Sequence, residues 1–345
     1  MFWQKTLAQP LSFSGIGLHS GRPVNVTIAP AGANHGLRFV RADLPGKPEI
    51  LAHYSRVVDT TRATTLGEGG YTLSTVEHLL AALRGLGVDN ARIKVEGPEL
   101  PIMDGSAAPF SGLLSAAGLR QLHWPRAYIL IRKPVELKQG DQWMRVSPGE
   151  PSITYTIDFN HPLIRRQRYS VSLGTESFCS EIAPARTFGF LKEVQHLQNQ
   201  GLALGGSLDN AVVLDDNGVL NPGGLRFPEE CVRHKILDAV GDLALLGMPL
   251  LGRLEVGRGS HELHCTFLQL LMRQETAWRV WVPTPQPRQR QSARLQTPLW
   301  GGSASLKRGC VCGFSPGRSE DLPFLLAGFV FRAEHAMSKV MNKRN

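Results

Sequence analysis

Cysteine is scarce in this chain and poorly placed for any framework. The five residues, Cys179, Cys231, Cys265, Cys310 and Cys312, are odd in number and scattered. They offer neither the paired C-x-x-C spacing of a structural zinc site nor the set of a disulfide-built domain, so a reducing compartment is expected. Long hydrophobic runs are missing as well. No apolar stretch approaches the roughly 20 residues needed to span a bilayer, and Pro323–Phe331 is too short to anchor. Met1-Phe2-Trp3-Gln4-Lys5 does not open the apolar core of a secretory signal. A cytoplasmic protein with no transmembrane segment is therefore expected. Most of the chain also lacks an excess of either charge. The pI is about 9.6, but residues 281–345 hold ten Lys/Arg against three Asp/Glu, which leaves 28 basic and 26 acidic residues before them. A body this close to neutral has no electrostatic footprint for a specific nucleic-acid partner.

What is present is apolar residue enough for proper cores, 42% of 345 residues, a length that accommodates two domains. The stretch that organises the chain is Cys231–Gly247, where Val232, Ile236, Leu237, Val240, Leu243 and Leu246 recur at helical spacing. A second stripe on the same helix carries His234, Asp238 and Asp242 at i, i+4 and i+8. Taken alone, such a stripe reads as a solvated face. It also aims an imidazole and a carboxylate one turn apart at a common point, as two ligands of one cation.

The order of elements repeats. A helix over 75–84, a strand at Ala91–Val95 and a helix over 106–117 are echoed by a helix over 229–246, a strand at Leu250–Val256 and a helix over 261–273. His123-Trp124-Pro125-Arg126 reads as a linker between the two sets. The expected fold class is α+β, with similar domains at 1–122 and 127–280. Residues 281–345, rich in Pro, Arg, Gln and Gly without a hydrophobic period, read as a basic, disordered extension. Each half places one notable histidine on its first helix, His78 and His234, so that face-to-face halves would bring both toward a shared cleft.

His78, His234 and Asp238 together form a donor set suited to catalytic zinc, two imidazoles and a carboxylate with a position left open. Glu77, beside His78, is placed to take a proton from a water on the metal. A structural alternative exists, because Ser74-x-x-Glu77 also spells a capping box, in which Glu77 would satisfy only a backbone N–H.

Six segments, G-I-G-L-H-S-G, S-T-V-E-H-L-L-A-A-L, P-I-M-D-G-S-A-A-P-F, A-R-T-F-G-F, L-G-G-S-L-D-N and V-R-H-K-I-L-D-A-V-G-D-L, occur in that order. Together they resemble the UDP-3-O-acyl-N-acetylglucosamine deacetylases of lipid A biosynthesis, from about residue 4 to about residue 280. The resemblance implies two layered β-α-α-β sandwich domains around a shared zinc cleft. It implies Zn2+ on His78, His234 and Asp238, with Glu77 as general base and His261 as the second catalytic histidine. Asp242 would hold and charge-tune His261, and Thr187 would hydrogen-bond the developing oxyanion. Lys235 and Phe159 match contacts to the nucleotide sugar. Leu18, Phe188, Leu191, Val194, Gly206, Ala211 and Val213 match substrate-binding positions, several of them in the wall of an acyl-chain passage. The implied partner is a small molecule, a UDP-linked acylated amino sugar, and the implied state is a monomer.

Two departures from the family pattern stand out. His261-Glu262-Leu263-His264 replaces H-A-L-N, which puts a second histidine one turn from the first. Arg62 occupies a place near the passage mouth where Leu or Met is usual. Two other functions would use some of the same residues. A non-haem iron oxygenase also binds metal through two histidines and a carboxylate, but usually draws H-x-D from a strand. An inactive nucleotide-sugar-binding paralogue would have no need of Glu77, His78, His234, Asp238 and His261 all at once.

Overall fold

The computed structural model describes residues 2–199 and 201–283. The extension read at 281–345 lies outside the described residues from residue 284 onward. The fold is α+β and is built on a repeated sheet. In the N-terminal half the strand order is Leu11–Ile16, Pro23–Pro30, Ala91–Glu96, Leu37–Arg41, Glu49–Leu51. In the C-terminal half it is Val135–Gln139, Gln142–Ser147, Arg253–Gly257, Ser152–Asp158, Arg166–Ser172. Both sheets are antiparallel except at one pair, the third strand with the fourth, which run parallel. The central strands alternate as a half-buried sheet requires. Val24, Val26 and Ile28 point inward, as do Ile93 and Val95, and Ile153, Tyr155 and Ile157.

Six α-helical segments are present among the described residues: α1 Glu77–Leu86, α2 Ala108–Ala117, the single turn α3 Thr175–Ser177, α4 Leu191–Asn199, α5 Glu230–Ala244 and α6 His261–Arg273. None is long and apolar enough to cross a membrane. Helix α1 stops at Gly87, whose left-handed φ of 76° lets its N–H return to the Leu83 and Arg84 carbonyls. Helix α6 starts at Ser260, whose hydroxyl accepts the Leu263 N–H. The stretch His123–Arg126, read as a linker, is mostly strand: Leu119–Pro125 pairs antiparallel with Trp3–Leu7.

Helix α1 packs on α2 and on α5, and α5 packs on α6 and on the C-terminal sheet. Leu79, Leu80 and Leu83 are fully buried, each stabilising the seam by about 1.5–3 kcal/mol. The solvated face expected for α5 is absent. His234, Asp238 and Asp242 are 3%, 3% and 0% exposed, because α1 and α6 cover the side that a lone helix would show to water. The two helices come close at Gly241, where an added Cβ would lie 2.1 Å from the Glu77 carbonyl oxygen. That backbone contact sets the start of α1 directly against the polar stripe of α5.

Helix propensity alone makes Gly241→Ala stabilising by about 1 kcal/mol, whereas the clash with the Glu77 backbone costs about 1–3 kcal/mol. The variant should therefore melt several degrees below wild type and lose activity. A melting temperature equal to or above wild type would show that the helices do not need this contact.

Candidate active site

The donor atoms of His78, His234 and Asp238 all lie within 4.8 Å of one another, and all three side chains are buried. His78 Nε2 is 3.6 Å and His234 Nε2 3.3 Å from Asp238 Oδ1. Ligands about 2.1 Å from a tetrahedral zinc stand about 3.4 Å apart, so these separations are edges of a zinc coordination shell. Asp238 Oδ1 is buried and accepts no hydrogen bond among the described residues, an arrangement that is costly unless a cation faces it. His234 Nδ1 lies 3.1 Å from the Ala185 carbonyl; donating there, the ring keeps its Nε2 lone pair turned to the cluster. Burial drives the His234 pKa down to about 4, so the ring is neutral, as a ligand must be. Burial alone would raise the Asp238 pKa, but His234 and Lys235 hold it well below the carboxylate range. Because His234 is neutral, the Lys235 ammonium, 2.7 Å from Oδ2, is the effective charge.

Glu77 is the first residue of α1 and is 3% exposed. Its Oε2 accepts the Thr64 N–H at 3.1 Å, while the Ser74 N–H goes to Pro98. The capping-box alternative thus falls, since Glu77 does not turn back to the residue expected of it. Burial raises the Glu77 pKa, and His261 and His78 offset this in part. His261 Nε2 faces Glu77 Oε1 at 3.9 Å.

Asp242 ties the second group together. Its Oδ1 accepts the Thr64 hydroxyl at 2.6 Å, and its Oδ2 accepts Nδ1 of both His261 and His264 at 2.8 Å. The two rings differ at their other nitrogen. His264 Nε2 is taken by the Tyr155 hydroxyl at 3.2 Å, and the side chain is wholly buried. Nε2 of His261 instead faces Glu77 Oε1. Their electrostatics diverge accordingly. Burial prevails at His264 and lowers its pKa despite Asp242. At His261 burial is outweighed by Asp242 and then Glu77, which carry the pKa up to about 9.

Loops around the cluster are locked by buried polar contacts. Glu230, at the start of α5, accepts Arg186 Nε at 2.8 Å, the Arg186 backbone N–H at 3.0 Å and the Arg226 N–H at 2.6 Å. This pins the A-R-T-F-G-F loop, with Ala185 beside His234 and Thr187 two residues further on. The Thr187 N–H bonds the Gly105 carbonyl, and Gly105 (φ 83°) sits where a Cβ would be 2.1 Å from the Asn210 carbonyl. Asn210 in turn closes its own loop by bonding Ser207 and Gly205.

The expected substrate positions fall into three groups. Phe188 stands edge-on to both His234 and Phe159, with ring centres 6.4 and 5.6 Å apart, so Phe159 is linked to the cluster through Phe188. Phe188 begins a strand that runs parallel to Val212–Leu214; Leu191 and Val194 lie on the helix that follows, and Ala211 and Val213 flank Val212. Leu18 and Gly206 meet where the Gly205 N–H bonds the Leu18 carbonyl. Lys235 is engaged with Asp238. Arg62 is exposed. Phe159 also lines a cavity of about 690 Å³ with His161, Arg165 and Arg258. Both arginines have positive φ, 47° and 50°, a backbone state uncommon for long side chains. Sequence reasoning missed these two arginines, Thr64 and Tyr155, because none has a partner at a readable spacing.

A family model described as UDP-3-O-acyl N-acetylglycosamine deacetylase matches residues 4–273. Relatives named UDP-3-O-acyl-N-acetylglucosamine deacetylase show the same extent. That of Anaeromyxobacter dehalogenans is 48% identical over 278 residues, 80% of this chain and 90% of the relative. That of Syntrophus aciditrophicus is 47% identical over 279 residues, 81% of this chain and 89% of the relative. That of Geotalea uraniireducens is 44% identical over 299 residues, covering 86% and 97%. The match spans both sheets and every member of the buried cluster from Thr64 to His264, and the chain belongs to the UDP-3-O-acyl N-acetylglycosamine deacetylase family.

Proposed function

We propose that this enzyme hydrolyses the acetamide of UDP-3-O-acyl-N-acetylglucosamine to acetate and UDP-3-O-acyl-glucosamine, an early committed step of lipid A biosynthesis. The observation that carries the reading is the donor spacing of His78, His234 and Asp238, with the buried Asp238 Oδ1 left without a hydrogen bond. These residues fit Zn2+, which when bound supplies an electrophile for the acetamide carbonyl and lowers the pKa of water toward about 7. The iron alternative loses its ground, since the carboxylate and one histidine share a helix and Glu77 flanks the other histidine.

Glu77 takes the proton as the water oxygen bonds to the acetyl carbon. Thr187 donates to the oxygen that gains charge. His261 gives its Nε2 proton to the sugar nitrogen as the C–N bond breaks, leaving acetate and a free 2-amine. Asp242 keeps the His261 ring charged and oriented, and Thr64 fixes Asp242 and Glu77 relative to each other. Phe159 and Arg165 offer a face and a cation to the nucleotide diphosphate, beside Arg258, which Asp141 and Asp158 hold at 3.0 and 2.7 Å, and Lys235 serves the sugar. Leu18, Phe188, Leu191, Val194, Gly206, Ala211 and Val213 line the way for the acyl chain. The repeated sheets support domains at 1–122 and 127–280. The free thiols of Cys179, Cys231 and Cys265 suit a reducing compartment such as the cytoplasm.

Purified protein should hold about one zinc per chain. His78→Ala should lose the metal, while Glu77→Ala should keep it and lower kcat by roughly 10²–10⁴. A loss of only a few-fold in Glu77→Ala would remove Glu77 from the chemistry.

The pH profile separates the two histidines. Activity needs Glu77 ionised and His261 protonated. kcat/KM should rise as Glu77, its pKa raised by burial, loses its proton, and fall as His261, with a pKa raised to about 9, loses its own. His261→Ala should flatten the basic limb and keep zinc; His264→Ala should leave that limb in place. A basic limb that disappears with His264 instead would overturn the assignment.

A further inference from the structure

A second cavity, of about 260 Å³, lies in the seam between the halves. Its apolar wall includes Ile153, Phe178, Val240, Leu243 and Leu254. At 100° per residue, Val240 and Leu243 project from the side of α5 opposite His234, Asp238 and Asp242. The cavity also reaches Arg84, two turns along α1 from Glu77. It is therefore separate from the deacetylation site, though built on the same two helices.

Two guanidinium groups line this apolar space, those of Arg84 and Arg126. Arg126 is ion-paired with Asp89 at 2.8 Å. Arg84 is not so served. Its Nη2 donates to the Ala244 carbonyl at 3.3 Å, but Nη1 is shielded from solvent and has no hydrogen-bond partner among the described residues. Burial and the neighbouring Arg126 together lower the Arg84 pKa to about 10, and Asp89 offsets only part of this. A half-buried cation with a solvent-shielded free donor, next to a second cation and an apolar hollow, is under-compensated and complementary to an anion with an apolar body.

We propose that the seam cavity is a binding site for a small monocarboxylate with a short hydrocarbon body, its carboxylate on Arg84 and its chain against Phe178, Val240, Leu243 and Leu254. At about 30 Å³ per water-sized group, the volume admits roughly eight non-hydrogen atoms, the size of a six-carbon carboxylate. The ligand braces α1 against α5 from behind, and its binding is independent of which reaction the enzyme performs.

The test is calorimetric titration of the zinc-loaded full chain with sodium hexanoate, hexan-1-ol and hexylamine. Hexanoate should bind, and the alcohol and amine should bind at least ten-fold more weakly. Arg84→Met should weaken hexanoate at least ten-fold. Leu243→Trp, which fills the cavity and leaves every proposed catalytic residue in place, should abolish binding while zinc content and circular dichroism stay as in wild type. Absence of hexanoate binding to wild type would overturn the proposal. So would equal binding of the alcohol, or binding kept within two-fold in Leu243→Trp, which would locate the carboxylate at the metal or in the acyl passage instead.

Discussion

Contact between the backbone of Glu77 and the missing side chain of Gly241 is the constraint on which the site depends. It draws the first turn of α1 against the middle of α5, so that His78 comes from one half of the molecule and His234 and Asp238 from the other. A side chain at 241 would push the helices apart. The donor separations of 3.3 and 3.6 Å would then widen beyond what one small cation can bridge. The repeated sheets on either side supply the rigid backing, and the helix pair between them supplies the chemistry.

Burying so many ionisable groups in one seam would be ruinous without strict pairing. Asp242 shows how it is managed. It takes one hydroxyl and two imidazole N–H groups, and so stays ionised with no exposure at all. Sharing one carboxylate could have made His261 and His264 equivalent, but Tyr155 removes the symmetry. With its second nitrogen occupied, His264 becomes a structural prop for Asp242, while His261 keeps a ring nitrogen turned toward Glu77. The H-E-L-H spelling thus adds a support behind the carboxylate that holds His261. Lys235 plays a comparable part at Asp238, holding the outer carboxylate oxygen so that the inner one faces the histidines.

Much of this was legible in the sequence, for reasons particular to each element. The α5 stripe was readable because an i, i+4, i+8 spacing survives any packing, and the α1–strand–α2 and α5–strand–α6 echo came through because helical periods are long. The burial of the α5 stripe was not readable, since one helix gives no sign of what covers its polar side. Glu77 was ambiguous for the same reason, and Thr64 settles it from a loop 13 positions away. Strands Glu49–Leu51 and Arg166–Ser172 were missed because both are sheet edges, short or largely exposed, with little alternation to detect. The family motifs carried the rest, and the loops they spell turn out to be those held by Gly105, Asn210 and Glu230.

The central claim is that two imidazoles and one carboxylate from two helices enclose a single zinc ion. X-ray absorption at the zinc edge of the loaded protein tests it most directly. The account predicts four light-atom neighbours at about 2.0–2.1 Å, with the multiple-scattering signature of two imidazoles and no sulfur. A sulfur shell at about 2.3 Å, or a spectrum requiring fewer than two imidazoles, would contradict it.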